Sequence, residues 1–138
     1  DFLVCSDNRM WGCSSKNNRI YASRLGDVRN WEAYGDGIST DSYWVDVSSE
    51  GDFTGAQVSS GAVYFFKENC IHRIIGTKPR NYTLTDYEDL GVKKGSHRSA
   101  IWIKDRMFYH SPVGVCVYSP GGEPQIISES AFGKNRYF

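Results

Sequence analysis

Three stretches of the chain share one alternation of apolar runs and polar breaks. Residues 2–23 read FLVCSDNRMWGCSSKNNRIYAS, residues 55–75 read GAQVSSGAVYFFKENCIHRII, and residues 99–118 read SAIWIKDRMFYHSPVGVCVY. Each is an apolar strand, a two-residue turn, an apolar strand, a polar turn and a third apolar strand. The first turns align as Asp7-Asn8, Ser60-Gly61 and Lys104-Asp105. Met10, Val63 and Met107 follow them, at offsets of 53 and 44, and then come the aromatics Trp11, Tyr64 and Phe108. Ile20, Ile71 and Val115 keep nearly the same spacing, 51 and 44. A repeat of roughly 40–50 residues with four short strands per unit predicts β-propeller blades.

The pattern places strands near 2–6, 9–13, 19–23 and 31–34 in the first unit. The run Ser42–Val47 is either that unit's outer strand or an insertion, which accounts for the longer first offset. The second unit has strands near 55–59, 62–67, 70–75 and 82–87, and the third near 99–103, 106–110, 115–118 and 125–128. Residues 15–18, 67–69 and 111–114 supply the second turn of each unit, with residues that accept positive φ or close side-chain turns. Helical periodicity is confined to a short run, Glu129 to Lys134. The expected fold is a single all-β domain, 1–138, with blade-like four-stranded antiparallel units at about 1–50, 51–94 and 95–130. Each interface between blades is expected to bury side chains such as Met10, Val63 and Met107.

Three blades are fewer than the ~4–8 of closed propellers. An arc of three leaves apolar faces open at both ends, to be covered by the rest of a longer chain, by another copy, or by a different closure. The chain opens on Asp1 and reads as a piece of a longer protein.

Sixteen basic and sixteen acidic side chains give a formal net charge of zero. That balance supplies no long-range attraction to nucleic acid or anionic membrane, and neither is expected as a partner. No apolar run approaches the ~18–20 residues of a membrane span. Cysteines 5, 13, 70 and 116 form no CxxC pair and no zinc spacing. With Asp7-Asn8 as the turn, Cys5 faces Met10, so Cys5 and Cys13 are not cross-strand partners. Four reduced thiols in a reducing compartment are expected.

Candidate chemistry is sparse. Cys70 and His72, two residues apart on one strand, share a face, but His72 reads better as a packed or surface imidazole than as a catalytic base. His97 and His110 have no local nucleophile. The carboxylates Asp27, Asp36, Asp41, Asp46, Glu50, Asp52, Asp86, Glu88 and Asp89 are scattered. Glycoside hydrolysis would need two of them ~5–10 Å apart. The sialidase Ser-x-Asp-x-Gly-x-x-Trp box is missing, since residues 23–31 hold similar letters in another order. The 35–41 loop lacks EF-hand spacing. Lys93, Lys94, His97 and Arg98 read as a solvated basic turn. Trp31, Tyr34, Tyr43, Trp44, Tyr82 and Tyr87 either present stacking surfaces or cover gaps between blades. No catalytic, metal or cofactor residues are assigned.

The segments 19–31 (RIYASRLGDVRNW), 39–47 (STDSYWVDV), 51–57, 65–82 (FFKENCIHRIIGTKPRNY), 91–99 and 114–129 resemble a family of bacteriophage and prophage tail-associated structural proteins. These are common in gut Firmicutes and look like β-propellers of the tail-stabilisation type. The Gly26-Asp27-x-x-Asn30-Trp31 box and the Gly76-Thr77-Lys78-Pro79 loop carry most of the resemblance. Val28 stands where members usually have Pro after the Gly-Asp pair. Members are several hundred residues long, so the chain resembles a portion of one. The resemblance implies a non-enzymatic virion component near the tail or head–tail junction, assembled in the host cytoplasm. It would dock onto other virion proteins or onto the remaining blades, with self-association open. It carries no cofactor and no catalytic residue. The rival expectation is a carbohydrate-binding or glycan-cleaving propeller used for surface adhesion.

Overall fold

The computed structural model describes residues 1–6, 8–27, 29–32, 41–59, 62–76, 82–119 and 123–127. They form three antiparallel four-stranded sheets. The first contains β1 (Leu3–Ser6), β2 (Arg9–Ser14), β3 (Arg19–Ala22) and β4 (Tyr43–Asp46), in that order. The second contains β5 (Phe53–Ser59), β6 (Ala62–Lys67), β7 (Cys70–Ile75) and β8 (Thr83–Tyr87). The third contains β9 (Ile101–Ile103), β10 (Arg106–Ser111), β11 (Gly114–Tyr118) and β12 (Gln125–Ile126).

The hairpin registers follow from the turns. Ser6 pairs with Arg9, Ser59 with Ala62 and Ile103 with Arg106, so each two-residue turn falls at the expected place. Cys5 pairs with Met10 accordingly. Asn8 and Asn18 take left-handed backbone at φ 61° and 52°. Asparagine tolerates that region because its short polar side chain bonds the local backbone. The second connection repeats as well: Ser14 pairs with Arg19, Lys67 with Cys70 and Ser111 with Gly114.

Two expectations need correction. The first sheet's fourth strand is Tyr43–Asp46, within the run Ser42–Val47 that is one of the two readings the sequence allows, and not the strand placed at 31–34. Trp31 and Glu32 lie outside any strand, and residues 33 and 34 lie outside the described residues. Tyr43–Asp46 wins because its register sets Val45 opposite the buried Ile20 and Asp46 opposite Arg19. Second, Met10 is not buried between sheets like Val63 and Met107, which are 4% and 0% exposed; it is only half-buried. It lies on the outer face of the first sheet, against which no other sheet packs among the described residues. Among the described residues the helical content is one three-residue 3-10 turn, His97–Ser99. The helical run expected at Glu129 to Lys134 falls outside them.

The sheets stack face to face, with the second in the middle. Residues directly opposite on paired strands share a face. Trp11, Cys13, Ile20 and Ala22 of the first sheet therefore point one way, and they pack against Val63, Phe65 and Ile74 of the second. The other face of the second sheet presents Ala62, Tyr64, Phe66 and Ile71 to Met107, Tyr109, Cys116 and Tyr118 of the third. All six residues of β6 are buried, because that strand is covered on both faces.

A strap from Glu88 to Ser96 crosses from the second sheet to the third. Val92 is fully buried in the second core cluster. The Tyr109 hydroxyl donates to the Leu90 carbonyl at 2.5 Å, and Gly91 N–H donates to the Glu68 carbonyl at 3.0 Å. A Cβ at Gly91 would lie 1.8 Å from the Lys67 carbonyl oxygen, so this crossing requires glycine.

Candidate site between the first and second sheets

His72 sits in the middle of β7, and the β7–β8 register places Asp86 directly opposite. Cross-strand partners have Cβ atoms about 5 Å apart, within reach of a hydrogen bond between their side chains. The two meet at 2.5 Å, His72 Nδ1 to Asp86 Oδ1. On the far side of the ring, Ser49 Oγ lies 2.8 Å from Nε2. Ser49 comes from the segment joining β4 to β5, so the chain of three spans the junction. An ionised carboxylate only accepts; Nδ1 therefore carries the proton and Nε2 accepts from the serine hydroxyl. Burial holds the imidazole below its ordinary value of 6.5, against the opposing pull of Asp86, which keeps it neutral.

Lys67, at the end of β6, is buried beside this chain. Its ammonium donates to the Asn18 side-chain oxygen and, at 2.8 Å, to the Ser49 carbonyl, and it lies 4.8 Å from the centre of the Phe53 ring. Desolvation lowers its pKa. Asn18 completes the arrangement: its Nδ2 donates at 2.8 Å to both the Val47 and Ser49 carbonyls. Thus the first sheet's β2–β3 turn, its outgoing segment and the second sheet are bonded at one end of the junction. At the other end, buried Arg9 donates to the Ser23 carbonyl at 3.0 Å and to the Asp41 carbonyl. Its guanidinium lies 5.8 Å from the Tyr82 ring centre.

A cleft of about 450 Å³ opens over the Ser49 end, lined by Ser48, Ser49, Glu50, Asn69, Cys70, Asp86 and Glu88. Three carboxylates facing one cleft make it an acidic, polar recess. Serine, imidazole and carboxylate stand in the order of a hydrolytic relay. Their exposures run opposite to what that chemistry uses: the His72 side chain is 0% exposed and that of Asp86 40%. A base must reach the leaving group, and an orienting carboxylate works best when shielded. The geometry is that of a clasp between sheets.

The remaining sequence candidates are dispersed. Cys70 is buried beside Ser49, and burial raises its pKa, which leaves it a thiol and not a thiolate nucleophile. All four cysteines are free. His97 packs on Phe2 with ring centres 5.2 Å apart, and His110 Nδ1 lies 3.3 Å from Ser96 Oγ. Lys94 of the basic turn reaches Asp52 at 3.6 Å, both largely exposed. Asp27 accepts from the Arg29 N–H, and Asp89 from the Leu90 N–H. Of the 35–41 loop only Asp41 lies among the described residues; Tyr34 and Asp36 do not. Tyr43 and Tyr82 pack around Trp11 in the first junction, and Tyr87 lies against the second cluster, so these three fill gaps between sheets. Trp31 reaches over Gly12. Trp44 is exposed, with the Arg19 guanidinium 3.9 Å from its ring centre.

Among the described residues, no group of three or more His, Cys, Asp and Glu side chains is placed to hold a metal ion. Nor is any helix long and apolar enough to cross a membrane. No protein-family model and no curated protein matches the chain. Ser49, Asn18 and Lys67 escaped sequence reasoning: nothing local marks them, since they meet through contacts 18 to 49 residues apart.

Proposed function

We propose that the chain is a non-enzymatic structural component of a phage or prophage virion, a propeller-like arc that docks to neighbouring virion proteins near the tail. One observation carries the reading. The outer faces of the stack leave large apolar side chains in water: Leu3 (66% exposed) and Trp44 (43%) at one end, Ile101 and Ile103 (54% each) at the other. Clustered exposed apolar side chains on an otherwise packed sheet mark a surface made to be covered. The buried clasp and the strapped second junction favour a rigid part over a moving one, and the resemblance to tail-associated proteins supplies the setting. The test is proteomic analysis of purified particles from a producing strain. The chain's peptides should co-purify with virions at stoichiometric yield; recovery only from the particle-free lysate would overturn the reading.

A second reading rests on the acidic cleft. Glu50, Asp86 and Glu88 around about 450 Å³ make a polar recess of a size that suits one or two sugar rings. A glycan array with the purified chain tests it, and binding lost on Glu50→Gln would favour adhesion.

A further inference from the structure

Both junctions of the stack obey one rule once positions are matched through the hairpin registers. Counting from the first turn, Met10, Val63 and Met107 correspond, as do Trp11, Tyr64 and Phe108. The face carrying Trp11 in the first sheet packs against the face carrying Val63 in the second. The face carrying Tyr64 in the second packs against the face carrying Met107 in the third. Call these the forward and back faces: every junction is forward on back. Among the described residues, what remains uncovered is the back face of the first sheet, with Leu3, Met10, Tyr21 and Trp44, and the forward face of the third, with Ile101, Ile103, Phe108 and Val117.

We propose that these two ends take each other in a second copy of the chain, two three-sheet stacks closing head to tail into a ring of six. The proposal rests on the reading above that these end faces are made to be covered, and it names a second copy as what covers them, which leaves the ring's loops to meet neighbouring virion proteins. It repeats an interface the chain already makes twice, and six sheets fall within the ~4–8 of closed radial arrangements. A face of four strands ~4.8 Å apart and ~5 residues long covers roughly 300 Å². Two junctions therefore bury ~1,200 Å² or more counting both partners, within the range of specific interfaces. At Gly12, where the other sheets carry Phe65 and Tyr109, the slot is filled by Leu3 and Trp31, so the back face stays apolar.

The rule names contacts. Trp102 lies opposite Met107 as Cys5 lies opposite Met10, and Trp102 packs on Tyr64 with ring centres 5.6 Å apart. Cys5 of the second copy should therefore face Phe108 of the first. Cys5 is the one exposed cysteine; Cys13, Cys70 and Cys116 are buried, with raised pKa values, and stay inert.

The test combines mass and cross-linking on the 138-residue chain. Light scattering at tens of micromolar should return twice the 15.6 kDa chain mass. A short bismaleimide should cross-link Phe108→Cys into dimers, and the added change Cys5→Ser should abolish them. Ile103→Glu and Trp44→Glu, both at exposed positions and checked for folding by circular dichroism, should each halve the mass. Mixed together they should regain dimers, because one intact forward face then meets one intact back face. A wild-type chain of single mass overturns the proposal, as does a cross-link that survives Cys5→Ser, which would mean third sheet on third sheet. Neither outcome touches the virion assignment, which falls only if the chain is missing from particles.

Discussion

Between the first and second sheets, Arg9, Lys67 and His72 lie buried among apolar side chains. At the corresponding places between the second and third sheets stand Ala62, Ser111 and Cys116. Packing follows one rule at both junctions, and the chemistry filling them differs. Lys67 and His72 reach across the first junction to Asn18 and Ser49. Ser111 and Cys116 satisfy each other and the Gly114 carbonyl inside their own sheet. The second junction is held instead by Tyr64, Phe66, Tyr109 and Tyr118, and by the strap threaded through Gly91 and Val92. Burial lifts the Tyr118 hydroxyl to about 12, so it stays protonated near neutrality. One junction buries an imidazole and an ammonium, and the other is packed mainly by aromatic rings.

Four substitutions probe that contrast, the largest effect first. Val63→Asp puts a carboxylate among Trp11, Phe65 and Ile74 with no partner, and should cost about 4 kcal/mol or more, leaving the chain unfolded by circular dichroism. Gly91→Ala attacks the second junction by forcing the strap off the Lys67 carbonyl. It should cost about 3 kcal/mol and lower the thermal midpoint by roughly 10 °C, where an exposed glycine such as Gly95 would tolerate the methyl group sterically. An unchanged midpoint in Gly91→Ala would refute the strap.

His72 supplies the pH arm. Its folded pKa is below the unfolded value of 6.5, so below that value the unfolded chain binds the proton more readily. The stability His72 contributes is full above about pH 6.5 and is lost as pH falls below it. Hydrogen exchange at pH 5.5 should therefore open the amides of β3 and β7 before those of β10 and β11. His72→Gln should flatten the pH dependence between 7 and 5.5 while lowering stability at pH 7. At the small end, Arg19→Met removes the ion pair with Asp46 on the outer face of the first sheet. Arg19 holds the Asp46 carboxyl below its usual range, but both groups are solvated, and the thermal midpoint should not move measurably.

How much was legible varies with distance along the chain. The turn at Asn8, the facing of Cys5 and Met10, and eleven of the twelve strands could be read directly, because turn chemistry and period-two alternation act over a few residues. The first sheet's outer strand was ambiguous, because residues 31–34 and 43–46 are both apolar and aromatic. Only register against Ile20 and Arg19 separates them. His72 read as either a packed or a surface imidazole, and only the structure shows it packed; its partners were not legible, since Asp86 is one of many carboxylates and Ser49 one of many serines.

The sequence by itself determined the repeating hairpins, their turns and the alternation that gives every strand one apolar side, since each depends on neighbours within one unit. Tertiary structure decided which apolar faces are spent inside the stack and which are left at its ends. Met10 and Met107 occupy the same place in their hairpins, yet one is half-exposed and the other fully buried, because a sheet packs against only one of them. The clasp of Ser49, His72 and Asp86 likewise exists only because two sheets stack. Burial and long-range register belong to the assembled sheets, and no local pattern encodes them.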